Sequence, residues 1–317
     1  MKLGDIYKQA VRAGMDADPR GEKRLKKVLA DTRKEYDGLK EKEREFFDME
    51  RLDHPFHDTR IAYGSPDVEV KSMLVGVDME VGELVLADRL REKRSLDLVF
   101  THHPEGRALT RFYDVMWMQA DVLHSMGVPI TVAEGILKDR IKQVANRILP
   151  VNHTRASDAA RLLDLPFLCV HTPADNMVTR HLQEIFDTKS PESVGEVMEL
   201  LMEVPEYRHF AALGVGPEVV AGSEKSRCGR VMVDMTGGTE GSKEAFEKLA
   251  RTEVGTIVGM HMSEDNLKEA EKNHINVVIA GHMSSDTIGI NLILDEIDKV
   301  EPLEIICTSG FERIRRI

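Results

Sequence analysis

The sequence predicts an α/β protein of two lobes with mixed sheets, preceded by an N-terminal helical arm. Three observations predict it. From residue 70 onward, short apolar and β-branched runs alternate with helical patterns, the signature of a parallel or mixed sheet with helices on its faces. That alternation occurs twice, on either side of a stretch rich in breakers (TKSPESVGE, VPEYRH and GVGPE) at 188–228. Residues 1–60 differ from both, being dense in charge with only a thin apolar stripe. The expected organisation is an arm over 1–66, a first lobe over 67–190 with a helical insertion at about 135–166, a linker over 191–228 and a second lobe over 229–317.

In the arm, Leu25, Val28, Leu29, Tyr36 and Leu39 recur at rough helical spacing, so this part reads as an amphipathic helix or a helical pair, a solvated arm packed on the main body. DHPFHDTR (53–60) reads as a loop, because Pro55 disfavours helix at His54. In the first lobe VKSMLVGVDME is a strand, GELVLADRLREKRS a helix and LDLVFTHHP a second strand. A helix at 113–126 and a strand at 128–133 follow. The insertion is helical in two pieces around PVNHTRASD. PFLCVHT is another strand, followed by a helix over 177–186. The second lobe reads GRVMVDM strand, TGGTEGS turn, KEAFEKLAR helix, VGTIVGM strand, EDNLKEAEKN helix, INVVIAG strand, DTIGINLILDEID helix and LEIICTS strand.

Composition narrows the function. With 42% hydrophobic and 31% charged residues, a chain of 317 residues can form a substantial core under a well-solvated surface. No apolar run is long enough to span a membrane, and the N-terminus does not read as a signal peptide. Cys169, Cys228 and Cys307 are far apart and form no CxxC pair, which suits a reducing cytoplasm. A net charge of −12 repels a phosphate backbone and argues against general nucleic-acid binding.

Histidines and acids stand where strands end. His102 and His103 close LDLVF, His171 and Asp175 follow PFLCV as HTPAD, and His282 and Asp286 follow INVVIA as GHMSSD. Imidazole and carboxylate are the usual ligands of a catalytic transition metal, and open α/β sheets gather ligand groups at the carboxyl ends of their strands. Adjacent histidines on a strand face opposite sides, but at a strand end that turns into a proline both can face one cleft and serve two metals. Each histidine could instead be a hydrogen-bonded edge residue. Asp175 could cap the helix near Met177, and Asp286 could sit in the first turn of its helix. A weak internal repeat, GTIVGMHMSED against NVVIAGHMSSD, places His261 as the counterpart of His282. If the two strands are parallel neighbours, His261 opens on the same cleft, as a general acid or base or as a surface histidine. TGGTEGS (236–242) is either a capped turn or a backbone cradle for phosphate.

HHP after a strand, HTxxD after a later strand and a C-terminal GHxxx-acid together resemble the Nif-three-like family, also known as GTP cyclohydrolase I type 2, over roughly residues 68–317. The resemblance implies an α/β fold, a centre of two metals and a toroidal homohexamer. Its implied ligands are His102, His103, Asp175, His282 and Asp286. The sequence departs from the pattern in four places. Asp286 stands where glutamate is usual, His261 stands where an acid is usual, the 135–166 stretch is long, and the arm has no counterpart. Two function classes follow. One is a hydrolase that uses two divalent ions (Zn, Fe, Mn or Ni) to activate water against a small phosphorylated or heterocyclic metabolite. The other is a non-enzymatic protein that stores, delivers or senses metal, or acts as an adaptor.

Overall fold

The computed structural model describes residues 1–316. The N-terminal part holds α1 (Leu3–Asp16), α2 (Gly21–Gly38) and α3 (Glu41–Arg44), then β1 (Arg60–Tyr63). Next come β2 (Ser72–Gly76), α4 (Val81–Arg91), β3 (Leu98–Thr101), α5 (Arg107–Thr110), α6 (Met118–Ser125), α7 (Ile130–Ile148), α8 (Arg155–Leu162), β4 (Phe167–Cys169) and α9 (Thr172–Lys189). The remainder is α10 (Val194–Glu203), α11 (Pro205–Ala212), β5 (Glu218–Ala221), β6 (Arg230–Asp234), α12 (Ala245–Leu249), β7 (Val254–Gly259), α13 (Glu264–Lys272), β8 (Asn276–Ile279), α14 (His282–Asp298) and β9 (Glu304–Cys307).

Two mixed sheets result, in the strand orders β1-β4-β3-β2-β9 and β5-β8-β7-β6. In each, an antiparallel strand, β1 or β5, flanks an otherwise parallel set. The central strands are continuous apolar runs because helices cover both their faces; all of β2 and β3 is buried. β7 and β8 are parallel neighbours, with Gly259 opposite Ile279, as the internal repeat anticipates.

Four expectations change. The strand expected at 128–133 is instead the start of α7. Its β-branched residues suggest a strand, but Ala133, Leu137, Ile141 and Val144 repeat at helical spacing and pack into the core, so burial decides the conformation. The arm is not merely solvated. Leu3, Ile6, Ala10 and Ala13 on α1, with Ala17 just past its end, form one apolar face and share a core with Phe100, Ile290 and Ile293, whereas α2 buries only Leu25. The 191–228 stretch folds into α10, α11 and β5, with Val194, Val197, Leu201, Val204 and Tyr207 buried. Pro205 begins α11, where the missing N–H costs nothing, instead of breaking it. Finally, β9 leaves the second alternating stretch and pairs with β2 in the first sheet, so the chain end ties the two halves together.

The helices α9 and α14 pack closely where Gly289 meets Ala174. A Cβ on Gly289 would lie 2.5 Å from the Ala174 carbonyl oxygen, so only glycine permits this approach. Ala174 adjoins Asp175, and Gly289 lies less than one turn from Asp286, so the contact sets how near those acids come. Gly289→Ala is therefore expected to lower stability by about 1–3 kcal/mol, the usual cost of overpacking, and to weaken metal binding; urea denaturation and metal titration read the two effects. In the arm, Ile6→Ala should cost about 2–5 kcal/mol in the same denaturation, as for a buried isoleucine, while Leu29→Ala on the half-buried face of α2 should cost far less.

Candidate metal centre

Both sheets direct the carboxyl ends of their parallel strands at one cleft. From the first sheet, His102 and His103 follow β3 while their backbone N–H groups still bond to Gly76 and Val77 beside β2, at 3.2 and 3.0 Å. The chain turns there, and both rings face inward with centroids 5.2 Å apart. His171, at the start of α9, stacks on His102 at 4.7 Å. Asp175 lies one helical turn after His171, so it sits in the first turn of α9 and caps nothing near Met177. From the second sheet come His282 and Asp286. Because α14 begins at His282, Asp286 stands one turn inside the helix, on the same face as His282.

Asp286 is the middle of the cluster. Its Oδ1 lies 3.4 Å from His102 Nε2, and its Oδ2 lies 3.5 Å from His103 Nε2 and 3.3 Å from His282 Nε2. Asp175 Oδ1 lies 3.4 Å from the same His102 nitrogen. Neither oxygen of Asp286 has a hydrogen-bond partner, although the residue is 1% exposed. These spacings exceed the roughly 2.7–2.9 Å of a charge-assisted hydrogen bond. They match the roughly 2.8–3.6 Å between two ligand atoms that each sit about 2.0–2.2 Å from one ion. Three sets of side chains bring ligand atoms within 4.8 Å of one another: His102, His103 and His171; His103, His282 and Asp286; and His102, Asp175 and Asp286. Nitrogen and oxygen donors of this kind suit a transition metal.

The imidazoles are oriented from behind. His102 Nδ1 bonds to the Val170 carbonyl at 3.1 Å, His103 Nδ1 to Asp78 at 2.6 Å and His171 Nδ1 to Asp58 at 2.9 Å. Each bond fixes the ring and leaves Nε2 for the centre, the arrangement that metal-ligating histidines share. Thr172 Oγ1 donates a further bond to Asp58. The centre draws positive charge. Burial alone would depress His102, but Asp286 and Asp175 outweigh it and raise its pKa well above the usual value. His103 is likewise opposed by burial yet raised to about 9 by Asp286 and Asp78. Burial would raise Asp286, but the surrounding imidazoles hold it far below the usual carboxylate range. His282, desolvated at the cleft mouth, is lowered.

The cleft beside the centre spans about 1000 Å3 counting the solvent-open space at its mouth, with His102, His171, Asp175, His261, His282 and Asp286 at its polar end. His261 ends β7 and meets His282 edge-on, with ring centroids 5.0 Å apart. It is exposed, and it belongs to none of the three ligand sets.

The fold has a solved counterpart. A NIF3 superfamily protein from Sphaerobacter thermophilus superposes with a TM-score of 0.70 at 25% identity, over 80% of this chain and 91% of that one. The chain shares the fold of that NIF3 superfamily protein along most of its length. Reduced HcgD from Methanocaldococcus jannaschii is a more distant match, at a TM-score of 0.48 and 18% identity, over 78% of this chain and 87% of that one. No protein-family model and no curated protein sequence matches the chain.

The structure brings together all five side chains of the motif, His102, His103, Asp175, His282 and Asp286. Asp286 reaches three imidazoles despite its short arm. His171 joins them, although the motif reading leaves it out of the ligand set. Asp58 and Asp78 were invisible as site residues: Asp58 lies in the DHPFHDTR loop and Asp78 after β2, and neither has a spacing that marks it. Asp58→Ala is expected to weaken metal binding by about 10- to 100-fold, the usual loss when an orienting partner is removed, in a competition titration against a chelator. Asp286→Asn should lose more in the same titration, because it removes the central charge at constant volume.

Proposed function

We propose that the protein is a metal-dependent hydrolase of a small metabolite and that its centre holds two divalent transition-metal ions (Zn, Fe, Mn or Ni). The observation that carries this reading is the Asp286 carboxylate, buried and without a hydrogen bond, with one oxygen toward His102 and Asp175 and the other toward His103 and His282. His102, His103, Asp175, His282 and Asp286 would hold the ions. Divalent ions there would supply Lewis acidity, making water a nucleophile near neutral pH and polarising the bond it attacks.

The chain's own residues do the rest. Val170, Asp78 and Asp58 hold three imidazoles in fixed tautomers, so the ligands need not reorganise when the centre fills. The apolar side of the cleft, where Leu123, Leu137 and Phe246 line the space, keeps bulk water from the non-reacting part of a substrate. His261 reaches the cleft beside the centre without belonging to a ligand set, which suits it to pass a proton to or from the reacting group.

Metal analysis of protein purified without an affinity tag should find bound transition metal, and a hydrolase screen should find activity that a chelator abolishes. His261→Ala should keep the metal and lower turnover by about 100-fold, within the range for removing a general acid or base. Full turnover in that variant would end the catalytic role. Metal without hydrolysis of any substrate class would favour the storage, delivery or sensing function.

A further inference from the structure

We propose that the wall of the cleft formed by Gln119, Asp234 and the 236–242 loop is a subsite for a nitrogen-bearing end of the substrate, a flat amidine-like or amino group that donates N–H hydrogen bonds. The inference takes from the hydrolase reading only that the substrate's reacting end lies at the metal centre.

The glycine-rich sequence TGGTEGS is compatible with a phosphate cradle, but its surroundings are not. Among the described residues no lysine or arginine lines this cleft, and its basic side chains are histidines. The charged groups on the loop side are Asp234, at the end of β6, and Glu240, both carboxylates. A phosphate here would meet like charge.

What the wall offers is unpaired acceptors. Gln119, on α6, gives its amide hydrogens to the carbonyls of Gly237 and Thr239, at 3.0 and 2.6 Å. These two bonds set the orientation of the amide, since a flipped group would turn its oxygen against two carbonyl oxygens. Its Oε1 is therefore left buried and without a donor, on a cleft-lining side chain only 6% exposed. Gly241 stands before it with no side chain; a Cβ there would lie 3.0 Å from that oxygen. Asp234 makes no side-chain hydrogen bond or ion pair among the described residues. It opens to the cleft, yet the enclosing walls and the nearby Glu240 push its carboxyl up to about 6, because nothing opposes its charge. Glu240 is already engaged by the Ser263 hydroxyl. Two acceptors without donors, beside an apolar floor of Leu123, Leu137 and Phe246, call for a ligand with N–H groups on a flat apolar body.

Benzamidine, which has that shape and those donors, is the probe, and acetophenone is its isostere without N–H groups or charge. Calorimetry on the metal-loaded protein should show benzamidine binding at least about tenfold more tightly, as expected for charge-assisted hydrogen bonds. Asp234→Asn should weaken benzamidine by about tenfold and leave acetophenone nearly unchanged. Gly241→Ala, which fills the space before Gln119 Oε1 without touching any charge, should also weaken benzamidine. Equal affinity for the two probes, or benzamidine binding unaltered in both variants, would overturn the subsite. Metal content, measured separately in each variant, should not change. A failed hydrolase screen therefore leaves this result standing, and a failed probe titration leaves the metal centre standing.

Discussion

A carboxylate buried without a hydrogen bond is costly unless positive charge surrounds it, and Asp286 is such a group. Its charge is balanced by imidazoles from both halves of the chain: His102 and His103 after a strand of the first sheet, and His282 on its own helix at the edge of the second. The two lobes must therefore meet with the carboxyl ends of their strands face to face. The close passage of α9 and α14 at Ala174 and Gly289 enforces this. β9 secures it by carrying the chain end back to the first sheet.

Electrostatics and packing act in the same direction at this centre. Asp286 and Asp175 raise the pKa of His102, and Asp286 and Asp78 that of His103, so the cluster attracts positive charge before any ion is considered. The outer partners, Asp58 and Asp78 among them, aim each imidazole by its rear nitrogen. Asp58 is fully buried and comes from the loop before β1, which places a segment outside both lobes behind the site. The N-terminal region is integral to the molecule in a second way, because α1 lies against α9 and α14 and contributes to their common core.

The cleft divides its chemistry between two ends. Histidines and acids crowd the centre, whereas Gln119 Oε1 and Asp234 present acceptors beside an apolar wall. Part of that wall is Leu137 on α7, within the helices that set this sequence apart from the family pattern. The 130–148 helix therefore lines the apolar part of the cleft, and the histidine and acid motifs lie at its polar end.

The sequence by itself determined the α/β class, the alternation of elements and the strand-end positions of the histidines and acids that gather in the cleft. Those properties are local: apolar periodicity marks each strand and helix, and HHP, HTPAD and GHMSSD each fall within a few residues of a strand end. The parallel pairing of β7 and β8, and with it the place of His261 beside His282, was legible because two similar strand-to-histidine segments repeat. Tertiary structure decided the rest. VPITVA has strand-like residues, but the core accepts it as helix because Ala133, Leu137, Ile141 and Val144 align on one face only in that conformation. The burial of α1, the folding of 191–228 and the return of β9 depend on partners far away in the chain, which no local pattern encodes. Asp58 is the clearest case: it is one acid in a charged loop until folding sets it 2.9 Å from a histidine 113 positions later.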